Sequence, residues 1–330
     1  MTSPSSPPLI IFRIVANRAG LPSALLADIG SAPLPVIRAA LAEAGAVSLA
    51  SEFPCKYLSG ISEEAGAALR DAGWKEMAPG TLFHVEDKLV REFIPDCAQW
   101  IEGEWYMAPP PRPSGSQAAS RALALQLVQL VAADADTHEI EAILRRDPTL
   151  SYQLLRLVNS LGMGVVRRVT SFSQALMILG RQQLRRWLNL MLFAARQGDV
   201  RSPMLLARVA VRARALEMLA RARGLDKLTQ EQAFMTGMFS LLGVLFGMPL
   251  PEVLAPLSLS DAVQGALIER KGELGALLRV VETAEQGNVD SLAAQLDTMQ
   301  ASVADFNAVM VDANRWMLGT VRESKGKPYA

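Results

Sequence analysis

Apolar residues recur along this chain with two different rhythms. Before about residue 110, short apolar runs at 9–15, 46–50 and 82–85 read as strands, and they alternate with helix-period patterns at 34–44 and 63–72. That alternation is the rhythm of βα units. After residue 117 the strand signals vanish. Apolar positions then repeat at helical spacing over 123–132, 140–146, 149–158, 173–179, 182–195, 204–222, 230–246, 274–285 and 303–318.

Local chemistry sets several of the expected boundaries. Asp147 followed by Pro148 supplies a side-chain acceptor at the N-cap and a proline where its missing N–H costs nothing, so a helix is expected to start there. Ser171 with Gln174, and Thr229 with Gln232, have the spacing of capping boxes, and Asp136 with Glu139 opens another first turn. Gly180 can take the left-handed conformation that ends one helix before Arg181 begins the next. The run 111–117 is rich in proline, serine and glycine and reads as a linker. The expectation is α+β overall: a small α/β domain at 1–110, then an all-α bundle over 118–330.

Half of the 330 residues are hydrophobic and a fifth are charged, which suits a folded chain of two domains. Thirty-three basic residues balance thirty-three acidic ones, so net charge points to neither nucleic acid nor membrane. The window 232–251 lacks charge and is long enough to span a bilayer. Gly237, Gly243, Gly247, Pro249 and Pro251 interrupt it, and it reads as buried core. No basic region precedes the apolar run 9–15, and Cys55 and Cys97 lack metal or redox spacing; a cytoplasmic protein with reduced thiols is expected.

The segment 143–160, with Asp147-Pro148-x-Leu150 and Leu154-Leu155-x-x-x-Asn159-Ser160, followed by Ser171-x-x-x-Ala175-x-x-x-Leu179-Gly180, resembles the HDOD domain family. The likeness covers most of 118–287. It implies a relative of the HD phosphohydrolases that lacks the full metal constellation and serves as a signalling or regulatory output module. Gly237-Met238-Phe239-Ser240-Leu241-Leu242-Gly243 is similar to the Gly-Leu-Leu-His-Asp-Ile-Gly helix of the HD superfamily, which sets the metal-binding pair at Ser240 and Leu241. Leucine cannot ligate a divalent ion, and a lone hydroxyl ligates poorly. The chain has two histidines, His84 in the first domain and His138 in a first helical turn, whereas an HD centre needs several imidazoles with carboxylates. The expectation is a non-enzyme with no metal and no cofactor.

Residues 82–87 and 101–109 look like the last two strands of an EAL cyclic-di-GMP phosphodiesterase domain, with Phe83 in place of a glutamate and Glu102 in place of a glutamine. About 110 residues precede the linker, where a closed eight-stranded barrel takes roughly 250. A shortened, unclosed barrel without turnover is expected, with Glu86 and Glu102 as polar residues at strand ends.

Charge is unevenly spread. Residues 140–225 hold fifteen arginines against four acids, while 280–314 hold six acids and neither lysine nor arginine. The arginines are either helix surface partly neutralised by those acids, or a docking face for an acidic protein, with nucleic acid the weaker alternative in the absence of any nucleic-acid motif. Arg181, Arg185, Arg186, Arg208 and Arg212 are the candidates for docking, with Trp187 either a core anchor or an interface hot spot. The expected activity is partner binding in a signalling pathway; the alternative is a residual cyclic-di-GMP or phosphoester site.

Overall fold

The computed structural model describes residues 7–110, 123, 126, 127, 129, 130, 133, 135–146, 186, 188, 199–257 and 259–324. The first part is a six-stranded sheet. Its strands are β1 (Ile10–Asn17), β2 (Pro22–Ile29), β3 (Cys55–Tyr57), β4 (Lys75–Glu76), β5 (Leu82–His84) and β6 (Trp100–Glu102), in the order β4-β3-β2-β1-β6-β5. β1 is antiparallel to both neighbours, and the pairs β2 with β3, β3 with β4 and β5 with β6 are parallel. Five strands thus run one way and β1 the other.

The β1–β2 turn follows from its residues. Asn17 Oδ1 accepts from the backbone of Ala19 and of Leu21, and Gly20 takes the positive φ of 78° that closes the turn. Three helices, α1 (Leu34–Glu43), α2 (Ala46–Glu52) and α3 (Glu63–Asp71), accompany the sheet. Ser62 caps α3 by accepting from Ala65 N.

One expectation fails here, and one strand is present that periodicity did not predict. The run 46–50 is helix rather than strand: Gly45 at φ 78° ends one helix, and Ala46 and Leu49, three apart, bury one face. A five-residue apolar run fits either period, so packing decides. Conversely Pro22–Ile29 is a strand without polar alternation, because both of its neighbours and both faces are occupied and its residues Ala24 to Ala27 are buried.

Described residues after 110 are helical: α4 (Thr137–Arg146), α5 (Ser202–Ala222), α6 (Lys227–Phe239), α7 (Leu242–Phe246), α8 (Leu250–Leu254), α9 (Asp261–Glu269), α10 (Gly272–Glu285), α11 (Val289–Thr298) and α12 (Val303–Ser324). The expected single helix over 230–246 starts earlier and breaks. Asp226 is the cap, accepting from Thr229 N, and Thr229 Oγ1 donates back to Asp226. Ser240 ends α6, and Leu241, at φ −109° and ψ 7°, turns the chain into α7. Gly247 at φ 61° and Pro249 then end α7 and open α8. The uncharged window 232–251 is therefore three short helices, with Phe234, Phe239 and Phe246 buried. Among the described residues no single helix is long and apolar enough to cross a membrane.

The central helix α5 is buried on nearly every side, packing on α6, α10 and α12. Gly237 makes its contact with α6 possible: a Cβ there would stand 2.4 Å from Ala213 Cα, so only glycine allows the two backbones so close. The hydrophobic core runs without a break from Ile10 and Trp74 in the sheet half to Phe234, Leu277 and Phe306 among the helices. α12 reaches both: Asn307 Oδ1 accepts from Ile10 N at 2.9 Å while its Nδ2 donates to Pro8 O at 2.9 Å.

Candidate functional site at the seam between sheet and helices

The positions expected to mark a degenerate metal pair lie together at the end of α6. Leu241 is buried, an apolar plug. Ser240 Oγ donates to Gly237 O at 2.7 Å and accepts from Arg212 Nη1 at 2.8 Å. Arg212 is 4% exposed. An uncompensated guanidinium at that depth would be strongly unfavourable, and α10 supplies the compensation. Arg212 Nε donates to Glu285 Oε1 at 3.0 Å, and Glu282 stands 3.5 Å from its Nη1.

The network continues outward through Arg208, one turn earlier on the same face of α5. Arg208 pairs with Glu285 at 3.1 Å, donates to Tyr106 Oη at 2.7 Å, and donates to Glu104 at 3.0 Å. Five charged groups therefore form one chain from Ser240 to the 3-10 turn Trp105–Met107 that follows β6. Burial alone would raise the Glu285 pKa, but the Arg208 and Arg212 guanidiniums outweigh it and hold the carboxyl below the ordinary glutamate value. Burial opposes charge on Arg208 too, and Glu285, Tyr106 and Glu104 reverse that, raising its pKa. Tyr106 is pushed up, chiefly by burial, against the pull of Arg208.

These contacts engage three of the arginines expected to dock, Arg186, Arg208 and Arg212. A docking arginine has to present its guanidinium to solvent, whereas the side chains of Arg212 and Arg208 are 5% and 15% exposed and bind within the chain. Arg186, also 15% exposed, bonds Glu217 at 2.7 Å and lies 4.3 Å over the Phe234 ring. Arg214, on the basic stretch as well, pairs with Glu217 and Asp312. Neutralisation by the acidic stretch is thus direct at Glu282, Glu285 and Asp312. Arg181, Arg185 and Trp187 lie outside the described residues, as do the signature positions Asp147, Pro148, Asn159, Ser160 and Gly180 and the linker 111–117. The sixth signature position, Gly237, is the close-contact glycine described above.

Sequence reasoning missed Tyr106, Glu104, Glu282, Glu285 and Asn307. The acidic bias of 280–314 was the available signal for the two glutamates; a lone asparagine in an amphipathic helix gives none.

Next to this network, a cavity of about 360 Å³ opens between β1 and the helices. Its lining mixes apolar side chains, among them Val211, Phe306 and Met310, with charged ones, among them Arg13, His84, Glu102 and Arg208. Arg13 bonds Glu102 at 2.8 Å, and His84 Nδ1 stands 3.6 Å from Glu102. Glu102 thus ends a strand, as expected, and holds an ion pair there. His84, also at a strand end, and His138, in α4, are exposed and far apart in sequence.

Comparison with known proteins agrees with this architecture in part. The HDOD domain family model matches residues 119–258. Over 195 residues the chain is 30% identical to the cyclic di-GMP phosphodiesterase CdgJ of Vibrio cholerae, covering 59% of this chain and 45% of CdgJ. Over 164 residues it is 31% identical to the uncharacterized protein YuxH of Bacillus subtilis, covering 48% of this chain and 39% of YuxH. The chain thus spans less than half the length of these curated relatives. A crystal structure of an HDOD domain protein of unknown function from Geobacter sulfurreducens overlaps 62% of this chain and 93% of its own, at 15% identity and a TM-score of 0.33, too loose a fit to bear on the fold. The family match, together with the signature residues between Asp147 and Gly180, establishes that the chain carries an HDOD domain over residues 119–258.

Proposed function

We propose that this chain is a regulatory module of bacterial signal transduction that acts by binding another protein and turns over no phosphoester in its helical half. One observation carries the reading: Arg212 directs a guanidinium onto Ser240, at the position where the HD pattern has its metal-binding histidine. Glu282 and Glu285, the carboxylates paired with that guanidinium, are also committed to Arg270 and Arg208. A divalent ion beside Ser240 would face a fixed positive charge at hydrogen-bonding distance, which opposes binding electrostatically. The sheet half is read as a degenerate EAL-like remnant, on the strength of the adjacent parallel strands β5 and β6.

A second reading, cyclic di-GMP hydrolysis, draws support from the likeness to CdgJ. One experiment separates the two. The purified chain is incubated with cyclic di-GMP and with bis(p-nitrophenyl) phosphate in the presence of Mg²⁺, Mn²⁺ or Co²⁺. No turnover is expected. Hydrolysis that scales with protein and disappears on chelation would reject the non-catalytic reading, and tandem capture of native partners by the intact chain tests the binding half of the proposal.

A further inference from the structure

The antiparallel strand β1 is paired along its whole length on one edge and along only two residues on the other. Leu9 O accepts from Gly30 N, which fixes the odd-numbered residues of β1 as those bonded to β2. The even-numbered residues therefore turn their N–H and C=O groups the other way. On that side β6 reaches only Ala16 and Asn17, because Gly103, at φ 106°, diverts the chain into the 3-10 turn. Among the described residues, the backbone groups of Phe12 and Ile14 on this edge meet no hydrogen-bond partner. Both residues line the 360 Å³ cavity, a size within the range of ligand sites.

A bare strand edge is normally paired or covered, since it is a template for another strand. Here the first rung is already imitated. The Asn307 carboxamide is chemically a peptide group. It donates to Pro8 O and accepts from Ile10 N, the two bonds that a residue of a parallel strand would make around Leu9. The next rungs, Ile10 O with Phe12 N and Phe12 O with Ile14 N, face the cavity.

We infer that the cavity beside β1 is a strand-addition site for an extended peptide segment of a partner protein. At roughly 3.4 Å per residue, Ile10 to Ile14 offers room for about four or five residues. Successive side chains of such a strand point to opposite faces. The lining offers such a strand both apolar surface, at Val211, Phe306 and Met310, and charged groups, at Arg13, His84 and Glu102. A segment that alternates apolar and polar residues can meet both. This inference goes beyond the proposed function and stands whether or not the helical half is catalytic.

The test screens the intact chain against a phage-displayed library of random heptapeptides. The expected result is a set of alternating apolar and polar clones whose synthetic peptides slow hydrogen exchange at the Phe12 and Ile14 amides. Ile14→Pro removes one donor on the cavity edge at a position where proline leaves the β1–β2 bonds intact, and it should weaken binding at least tenfold. If that variant does not fold, the exchange pattern of the unaltered chain decides alone. No binding clone, or clones that leave both amides unprotected, would overturn the inference. Protection that rises with protein concentration without peptide would also overturn it, assigning the edge to a second copy of the chain.

Discussion

Arg212 and Ser240 meet at 2.8 Å in a buried contact that ties the middle of α5 to the end of α6. The guanidinium also holds Glu285, so deleting it leaves that carboxylate, whose side chain is 8% exposed, with Arg208 as its remaining partner. Arg212→Ala is expected to cost up to about 3–5 kcal/mol, the range for buried pairs broken on one side, while replacing Arg212 and Glu285 together with apolar residues of similar volume should cost less than the single change. Urea denaturation of the three proteins checks this. A double variant worse than Arg212→Ala would contradict it.

Gly237 sits where α6 crosses α5. A methyl group there would lie 2.4 Å from Ala213 Cα, and neither backbone can yield without moving its helix. Gly237→Ala should destabilise by roughly 1–3 kcal/mol, although alanine is the better helix former. A raised Tm in this variant would show that the helices are further apart than described.

Asn307 satisfies two backbone groups of the β1 edge. Asn307→Ala leaves Ile10 N–H and Pro8 C=O without these partners, at a cost of about 1–3 kcal/mol, and frees the start of β1. Amide exchange at Ile10 should accelerate well beyond that at Leu25, which remains bonded to Pro54 O. Equal acceleration at both would point to global loosening instead.

Acid should weaken the seam. Because Arg208 and Arg212 hold the Glu285 pKa below its ordinary value, its contribution is fully present above the unfolded pKa and is lost as pH falls through the lowered one. The Tm gap between the unaltered chain and Glu285→Gln should be constant near neutrality and shrink below about pH 4, the unfolded glutamate range. A gap independent of pH would mean that Glu285 is not ionised in the folded chain.

The two thiols should differ sharply. Cys97 is exposed, whereas Cys55 is buried and pushed up to about 12, mainly by burial and then by Glu52. Iodoacetamide at pH 8 should modify Cys97 at once and Cys55 only on unfolding, as read by peptide mass spectrometry.

The long elements were legible because their apolar positions repeat over many turns: α5 and α10 begin and end within two residues of where periodicity places them, and α12 begins where expected but runs on to Ser324. Short ones were not. Leu242–Phe246 and Leu250–Leu254 have five residues each, too few for a period, and their boundaries depend on Gly247 and Pro249. At the seam the reverse holds. The surplus of arginine was visible, but whether Arg212 faced water or Glu285 depends on how α5 and α10 pack, which no local pattern encodes. Asp226 was overlooked as a cap because Thr229 and Gln232 offered a competing box, and the carboxylate won by accepting from Thr229 N.

The bond from Ile10 to Asn307 joins residues 297 positions apart. During synthesis, β1 leaves the ribosome long before its clasp exists, at about 5–20 residues per second. For that interval of tens of seconds Pro8 C=O and Ile10 N–H, at the start of the β1 edge, are open to any strand nearby. Assembly of this seam is then a late, slow step, and chaperone dependence would follow from the order in which the ribosome delivers its parts.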